Sequence, residues 1–403
     1  MRQFVIFAAI LTTLASCQKS ETDIPNPYKP LNLTTRSAEF IQKGTAFNFE
    51  FIRRIDADTE KDYIVSPLSM QILLGMILDG AQGATADEIC SVLGYGAGET
   101  DAVNEFCQSM LTQLPELDRK TTLTMANAIF VDDGWPLRDT YKKTVGLYYG
   151  AEIANLDFSD NAGSLKVING WCSDHTNGLI PKILDQVDPN MLAYLLNAMY
   201  FKSQWKEKFP KESTSDETFT TSSGDKRTVK MMKQEKSYPY YENDLFKAVR
   251  LPYGNGAFSM TVLLPQSGQT VADVIASLKK TDGNLDLFPC EVDLWLPRFE
   301  TKYHIKLNDI LSAMGMPGSF TGAADFKAMS DYAGHLDFVQ QDAVIKVDEE
   351  GSEAAVISSA GMEKATAIAP GSHVVFHADH PFLYLITESS TGAVLFAGRF
   401  GGK

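Results

Sequence analysis

Close to the C-terminus, a long run of small and acidic residues separates one predicted strand from the last two strands of the chain. β-Branched residues lead up to Val347, and three glutamates follow around Gly351. Residues 352–361 contain nothing bulkier than glutamate or isoleucine, and residues 361–373 have the glycine and proline content of a loop. Loops of this length inside a compact domain are uncommon and usually functional. Composition alone would also fit a mobile linker or a poorly formed surface helix.

Helix and strand signals occupy most of the remaining chain. Ser66 followed by Pro67 predicts a helix start, because serine caps the first turn and proline suits the first helical position. Residues 68–78 are apolar nearly all round, so this helix must be buried. Thr85-Ala-Asp-Glu88 predicts a capping box for a shorter helix that ends at Gly94. Apolar spacing also predicts a helix over 37–56 and buried strands over 260–265, 382–387 and 394–397.

The N-terminus has the pattern of an export signal. Arg2 precedes an apolar run over residues 4–11 that is too short to span a bilayer. Leu-Ala-Ser-Cys at 14–17 looks like a bacterial lipobox, which predicts a lipoprotein signal peptide over 1–16 and lipidation of Cys17. Residues 17–36 are polar and proline-containing, and they predict a flexible tether to a membrane surface. We therefore expect an exported bacterial lipoprotein at the outer membrane or cell surface. The alternative is an ordinary secretory signal with a chance cysteine.

Composition excludes several functions. The net charge of −15 argues against nucleic acid as a partner, since phosphate binding needs clustered lysine and arginine. The later cysteines have no C-x-x-C spacing and predict buried free thiols: Cys90, Cys107, Cys172 and Cys290. His373, His377 and His380 could meet at a metal, but no carboxylate or cysteine ligand spacing accompanies them, and we expect none. The sequence contains neither a Gly-x-Ser-x-Gly elbow nor a phosphate-binding loop. No motif therefore supports the alternative of a lipoprotein with hydrolase or ligand-binding activity.

The acidic run resembles the hinge of the reactive-centre loop in the serpin family, where it stands as Glu349-Glu350-Gly351-Ser352-Glu353-Ala354-Ala355. Further segments resemble the family in order and spacing from residue 37 to Arg399, among them 66–69, 125–130, 195–205, 296–299 and 380–382. The resemblance implies a single α+β domain over 37–403. Its expected parts are a large, mostly antiparallel central sheet, two smaller sheets, eight or nine helices and an exposed reactive-centre loop at about 349–375.

The resemblance implies a protease inhibitor that is not an enzyme and needs no cofactor. A target protease cleaves the loop, and the loop then inserts into the main sheet before the acyl-enzyme is hydrolysed. The inserting strand needs small or β-favouring residues and no proline. Val356 and Ile357 are bulkier than is usual in the family, so a non-inhibitory serpin, acting as a carrier or protease substrate, is the alternative. The implied hinge is Glu349, Glu350, Gly351, Ser352, Glu353, Ala354, Ala355, Val356 and Ile357.

The family register places the scissile bond fourteen residues after Gly351, at Ala365-Thr366, with Lys364-Ala365 as the alternative. Ala365 would suit elastase-like or subtilisin-like serine proteases, and Lys364 would suit trypsin-like ones. Cysteine proteases are a second target class, and we expect a monomer. The resemblance also implies a sheet-opening region made of Ser66, Ser69, Asn197, Gln341 and Trp205. Gln341 stands where the family usually has histidine, and glutamine does not titrate near neutral pH.

Overall fold

The computed structural model describes residues 26–352 and 371–402. The helices within these ranges are α1 (Thr35–Asp58), α2 (Pro67–Gly80), α3 (Gly83–Leu93), α4 (Thr100–Gln113), α5 (Asp139–Tyr149), α6 (Asn161–His175), α7 (Val271–Lys280) and α8 (Asn308–Met314). The strands are β1 (Tyr63–Val65), β2 (Thr122–Asp132), β3 (Glu152–Leu156), β4 (Ala193–Gln204), β5 (Ser215–Thr220), β6 (Lys226–Glu242), β7 (Phe246–Pro252), β8 (Phe258–Pro265), β9 (Phe288–Pro297), β10 (Phe299–Lys306), β11 (Gln340–Val347), β12 (Gly351–Ser352), β13 (His373–His377), β14 (Phe382–Glu388) and β15 (Val394–Phe400).

The described strands form three sheets. The nine-stranded sheet has the order β1-β15-β14-β8-β7-β6-β9-β13, and β5 pairs with β6 beside it. Its ladders are antiparallel except the one between β9 and β13. A four-stranded sheet has the order β12-β4-β2-β3, and a two-stranded sheet joins β10 to β11. This architecture confirms the predicted α+β class, with one large and mostly antiparallel sheet, two smaller sheets and eight described helices.

The apolar helix predicted after Ser66 is α2, which is buried along nearly its whole length. Ser66 Oγ accepts a hydrogen bond from the N–H of Ser69, and Pro67 occupies the first helical position. The helix therefore begins at the predicted residue, with the predicted cap. The start of α2 lies beneath β4 and β15, so the cap residue is held against both sheets.

The capping box predicted at residues 85–88 is wrong. Helix α3 begins two residues earlier, at Gly83, and no side chain caps its first turn. The Thr85 hydroxyl instead accepts a hydrogen bond from the N–H of Asp325, and Glu88 accepts one from the N–H of Gly318. Both side chains therefore hold a distant segment of the chain. The predicted end at Gly94 is confirmed, with this glycine in the left-handed conformation.

Only residues 26–36 of the flexible tether predicted over 17–36 are described. Asn26, Leu31 and Asn32 hydrogen-bond to the body of the protein, while residues 27–30 are exposed, and α1 starts at Thr35 after a cap by Thr34. The helix predicted over 37–56 is confirmed as α1. The predicted signal peptide and Cys17 lie outside the described residues. No helix in the described part of the chain is long and apolar enough to cross a membrane.

The main hydrophobic core gathers side chains from α1–α5 and from the inner faces of the sheets. A separate cluster lies between α6 and the outer face of the four-stranded sheet, where Trp171 packs edge-on against Phe130. The four described cysteines are buried and unpaired, as their spacing predicted: Cys90, Cys107, Cys172 and Cys290. The four-stranded sheet is thus held between the core and α6.

Candidate functional site

A cleft runs between β4 and β11. These strands belong to different sheets, and no ladder joins them within the described residues. Three cavities follow one another along this boundary. The first, of about 260 Å³, lies between residues 199–202 and 344–346. The second, of about 30 Å³, lies between residues 195–199 and 340–343, and the third, of about 70 Å³, lies between 191–196 and 334–340. Within the described residues, the only ladder on the cleft side of either strand is the short one between β12 and residues 203–204 of β4.

Four of the predicted sheet-opening residues meet at the second cavity. The Ser66 N–H donates to Gln341 Oε1 at 2.8 Å, and Gln341 Nε2 donates to the Ser66 carbonyl at 2.9 Å. Ser69 Oγ donates to Asn197 Oδ1. Asn197 Nδ2 in turn donates to Asn127 Oδ1 at 2.7 Å. The helix cap of α2 and the two cleft edges are therefore joined by polar contacts.

Sequence reasoning missed Asn127 in this polar cluster. It lies directly opposite Asn197 in the β2–β4 ladder and is almost fully buried. Its side chain also donates to the carbonyl of Tyr149 at 2.8 Å. An amide inside an otherwise apolar strand was the available signal, because buried polar groups need hydrogen-bond partners.

A tight turn closes one end of the cleft. After β11 the chain reverses over residues 348–351, with Asp348 and Gly351 exchanging backbone hydrogen bonds. Gly351 has φ of +122°, and a Cβ there would lie 2.3 Å from the Trp205 nitrogen. Only glycine fits, because of both the backbone angle and the close approach. The next residues, as β12, pair antiparallel with β4 in the register Gly351↔Gln204 and Ser352↔Ser203.

Basic side chains hold the two glutamates of this turn. Glu349 is buried and accepts hydrogen bonds from Thr214 Oγ1 at 2.6 Å and Arg298 Nη2 at 2.5 Å. Burial alone would raise the pKa of Glu349, but these donors hold it below its ordinary value. Glu350 pairs with Lys208 and with Lys211, each at 2.7 Å, and the two ammonium groups lower its pKa to about 2. These cationic partners come from β9–β10 and from the chain after β4, and no sequence spacing indicated them.

Trp205 fixes the backbone of the turn from the other side. Its indole Nε1 donates to the Asp348 carbonyl at 2.8 Å, and its backbone N–H donates to the Glu350 carbonyl at 3.1 Å. The indole stacks on Tyr253 with ring centroids 4.5 Å apart and is almost fully buried. Trp205 thus joins the end of β4, the turn and the nine-stranded sheet.

Several predicted site residues lie outside the described residues: Cys17, Glu353, Ala354, Ala355, Val356, Ile357, Lys364, Ala365 and Thr366. The three histidines considered for a metal do not converge. His373 contacts Glu235 at 3.0 Å, His377 contacts Asp293 at 2.9 Å, and His380 contacts Asp379 at 2.8 Å. Over 26–352 and 371–402, no group of three or more histidine, cysteine or acidic side chains is arranged to hold a metal ion.

Known proteins share both the sequence and this architecture. The family model described as "Serpin (serine protease inhibitor)" matches residues 42–401. The chain is 32% identical to Serpin B6 of Macaca fascicularis over 367 residues, which covers 88% of this chain and 96% of that protein. It is 31% identical to the leukocyte elastase inhibitor of Xenopus laevis over 378 residues, with 88% and 97% covered.

Solved structures give the same result. The thermophilic serpin tengpin in its native state matches with a TM-score of 0.80 at 26% identity, covering 94% of this chain and 97% of that one. Human thyroxine-binding globulin with thyroxine matches with a TM-score of 0.78 at 25% identity, covering 90% and 98%. The mixed fold and these matches together put the chain in the serpin class of protein. The chain belongs to the serpin family, whose members are generally protease inhibitors and not enzymes.

Proposed function

We propose that this serpin is an irreversible, suicide inhibitor of serine proteases. A protease cleaves the reactive-centre loop, remains attached as an acyl-enzyme, and is displaced when the loop enters the cleft between β4 and β11 as a new strand. The inserted strand would therefore join the four-stranded sheet to the two-stranded sheet, and not enter the large, nine-stranded sheet as the resemblance implied. The observation that carries the proposal is β12, whose two residues already pair with the end of β4 at the mouth of the cleft. The loop therefore leaves the described structure in the position and direction that insertion requires.

The register of β12 can be extended along the cleft. On the β4 side, each further loop residue would lie opposite the preceding residue of β4, so Ala354 meets Phe201 and Ser358 meets Asn197. On the β11 side, the Asp348↔Gly351 bridge places Ala354 opposite Ile345 and Ser358 opposite Gln341.

Ser358 would then enter between the amide side chains of the polar cluster. A hydroxyl can donate to one amide and accept from another, so the buried polar groups stay satisfied after insertion.

The same register gives the surroundings of the two bulky hinge residues, Val356 and Ile357, after insertion. Val356 would face the interior between Met199 and Ala343, and Ile357 would face α6 between Ala198 and Asp342. Each of the two therefore has one alanine among its cross-strand neighbours, which leaves room on that side for a β-branched side chain in a sheet. This supports the inhibitory function.

Full insertion would move the protease a long way. Ala365 lies thirteen positions after Ser352, and thirteen residues of strand extend about 43 Å. A protease bonded to Ala365 would be carried from one end of the cleft to the other. A displacement of this size, against a tightly held acyl-enzyme, can distort the active site of the protease before water hydrolyses the bond.

We propose Ala365-Thr366 as the cleaved bond, with Lys364-Ala365 as the alternative. Alanine before the bond fits the small specificity pockets of elastase-like and subtilisin-like proteases, and lysine would fit a trypsin-like one. A relative with 31% identity is named an elastase inhibitor, which agrees with the first choice. Cysteine proteases are a second target class.

A non-inhibitory serpin is the second candidate. One structural neighbour, human thyroxine-binding globulin, holds thyroxine, and Val356 and Ile357 would favour this alternative if they slowed insertion. Such a protein would be cleaved in its loop while the protease stays active.

The place of action is part of the proposal. The signal pattern over 1–16 and Cys17 support an exported bacterial lipoprotein, held at the outer membrane or cell surface by its lipid. A single domain over 37–403 would carry the inhibitory function as a monomer. An inhibitor placed there would protect the cell from external proteases.

The test is to mix the protein, expressed from Gln18 onward, with an elastase-like and with a trypsin-like protease. We expect a covalent complex that survives boiling in detergent, and a released fragment that begins at Thr366. A fragment that begins at Ala365 would move the cleaved bond to Lys364. Clean cleavage with full protease activity left would contradict the inhibitory function and favour the second candidate.

A further inference from the structure

Residues 26–33, which we call the N-terminal strap, are docked on the body of the protein. Asn26 Nδ2 donates to Asp118 Oδ1 at 2.7 Å, and Asn26 Oδ1 accepts from the Arg119 N–H at 3.2 Å. Asn32 exchanges two hydrogen bonds with the side chain of Gln113, both at 2.9 Å. A segment that both donates hydrogen bonds to another segment and accepts them from it has a defined position, because its donors and its acceptors are both paired.

The other side of the strap contacts the nine-stranded sheet. The Leu31 N–H donates to Ser390 Oγ at 3.1 Å, and Ser390 Oγ donates to the fully buried Glu388 at 2.7 Å. The Leu31 side chain is buried in the main core. Ser390 belongs to the turn between β14 and β15, whereas Gln113 and Asp118 lie on the chain that leads into β2. The strap therefore bridges the β14–β15 turn of the nine-stranded sheet and the segment that joins α4 to the first strand residue of β2.

Asp118 is the centre of the contact between strap and body. It is 1% exposed and accepts hydrogen bonds from Asn26, from the Lys120 N–H, from Thr121 Oγ1 and from the Asn255 N–H. A buried carboxylate is stable only when such donors surround it. Loss of Asn26 would remove a side-chain donor from a charged and buried group.

A short chain of hydrogen bonds leads from Asp118 to the base of the reactive-centre loop. The hydroxyl of Thr121 donates its one proton to Asp118. The hydroxyl of Ser203, 2.6 Å away, must therefore be the donor to Thr121 Oγ1. Ser203 is fully buried at the end of β4 and is the ladder partner of Ser352. A second route runs through the Gly254 N–H, which donates to the carbonyl of Gln204 at 2.8 Å. The strap is thus connected to the two residues of β4 on which the loop starts to pair.

We propose that the N-terminal strap delays insertion of the uncleaved loop by holding the four-stranded sheet against the nine-stranded sheet. The inference rests on the proposed insertion mechanism. The three cavities of the cleft are far smaller than a strand of ten residues, so β4 and β11 must separate when the loop enters. That separation displaces β2 and β4 relative to the β14–β15 turn, and it would break the bonds that the strap makes on one side or the other.

The test compares Asn26→Ala with Lys29→Ala, a matched control at an exposed position of the same strap. Each uncleaved protein is held at constant temperature and sampled for two properties. One is the fraction that still forms a covalent complex with the protease. The other is the fraction converted to a form with a higher unfolding temperature, as expected when the loop has inserted. Asn26→Asp, which places a second carboxylate against Asp118, serves as an independent variant.

We expect Asn26→Ala to accelerate conversion about tenfold, the effect of one hydrogen bond to a buried charge. Asn26→Asp should accelerate it further, and Lys29→Ala should stay within about twofold of the unchanged protein. If Asn26→Ala lowers the unfolding temperature but leaves the conversion rate unchanged, the strap is only structural and the proposal is overturned. If the unchanged protein traps no protease at all, the proposed function fails, while the conversion assay still decides the role of the strap.

Discussion

Ala354→Arg provides a strong test of the insertion register. In that register the residue enters the cleft on its inner face, between Phe201 and Ile345. The Phe201 ring packs against three aromatic rings, with centroid distances of 5.3, 5.5 and 6.4 Å. Ile64, Ile386 and Phe396 also line the cavity at this point. A guanidinium would therefore enter a largely apolar site.

The size of the effect follows from the cost of burying an unpaired charge, which is several kcal/mol in proteins. If about 3 kcal/mol of this cost adds to the activation free energy of insertion, insertion slows by about 150-fold. Deacylation of the protease would then be faster than insertion of the loop, so the variant would be cleaved as a substrate. Formation of the acyl-enzyme itself should not change, because residue 354 is eleven positions before Ala365.

The assay measures how many inhibitor molecules are needed to inactivate one protease molecule, together with the yield of covalent complex on a denaturing gel. Ala369→Arg is the control, since it adds the same charge to the loop after the predicted bond. We expect the control to inhibit normally and Ala354→Arg to be consumed with the protease left active. Equal stoichiometry for the two variants would refute the register.

Three further predictions concern described residues. Gly351→Ala should destabilise the intact protein by about 2 kcal/mol or more, since φ of +122° and the approach to the Trp205 nitrogen leave no room for a Cβ; denaturant unfolding measures this. Ser66→Ala should lower the free energy of unfolding by about 2 kcal/mol, because it removes both a helix cap and the donor to the Leu395 carbonyl. For Asp79, burial raises the pKa to about 7, so the contribution of this group to stability is fully present below the ordinary value of 3.8 and is lost as pH rises through 7. Asp79→Asn should therefore become the more stable protein above pH 7, by up to roughly 4 kcal/mol, in unfolding curves recorded from pH 4 to 9.

These predictions have separate controls. For the turn, Gly98→Ala also replaces a glycine of positive φ, but its Cβ would meet open space, so its loss of stability should be smaller. For the cap, a change below about 0.5 kcal/mol would show that the hydroxyl of Ser66 contributes little. For Asp79, parallel pH curves for the variant and the wild type would mean that its carboxyl titrates normally.

Capping residues and hydrophobic patterning predict some of the elements that border the cleft. Ser66 and Pro67 set the start of α2, and the apolar character of the following residues put the helix in the core. The acidic run around Gly351, which the family resemblance identifies as the hinge, lies in and after a turn over residues 348–351 in the structure. In each case the same residues define both the local geometry and the site, so sequence reasoning could reach them.

Features that depend on distant partners could not be reached in this way. Thr85 and Glu88 have the spacing of a capping box, yet both are engaged by residues more than two hundred positions away. Glu349 was recognised as part of the hinge, but its partners Thr214 and Arg298 follow from tertiary packing alone. Composition predicts a flexible segment before α1, and it carries no information about the contacts of Asn26 and Leu31 with distant residues.

The most direct test of the central claim is hydrogen exchange of the intact protein and of the protein cleaved in its loop. If the loop enters between β4 and β11, amides of residues 193–204 and 340–347 should exchange more slowly after cleavage, because the N–H groups along the cleft gain partners. Residues 128–131, which already pair with both β3 and β4, provide the internal reference. Unchanged exchange along β4 and β11 after complete cleavage would contradict insertion and the inhibitory mechanism built on it.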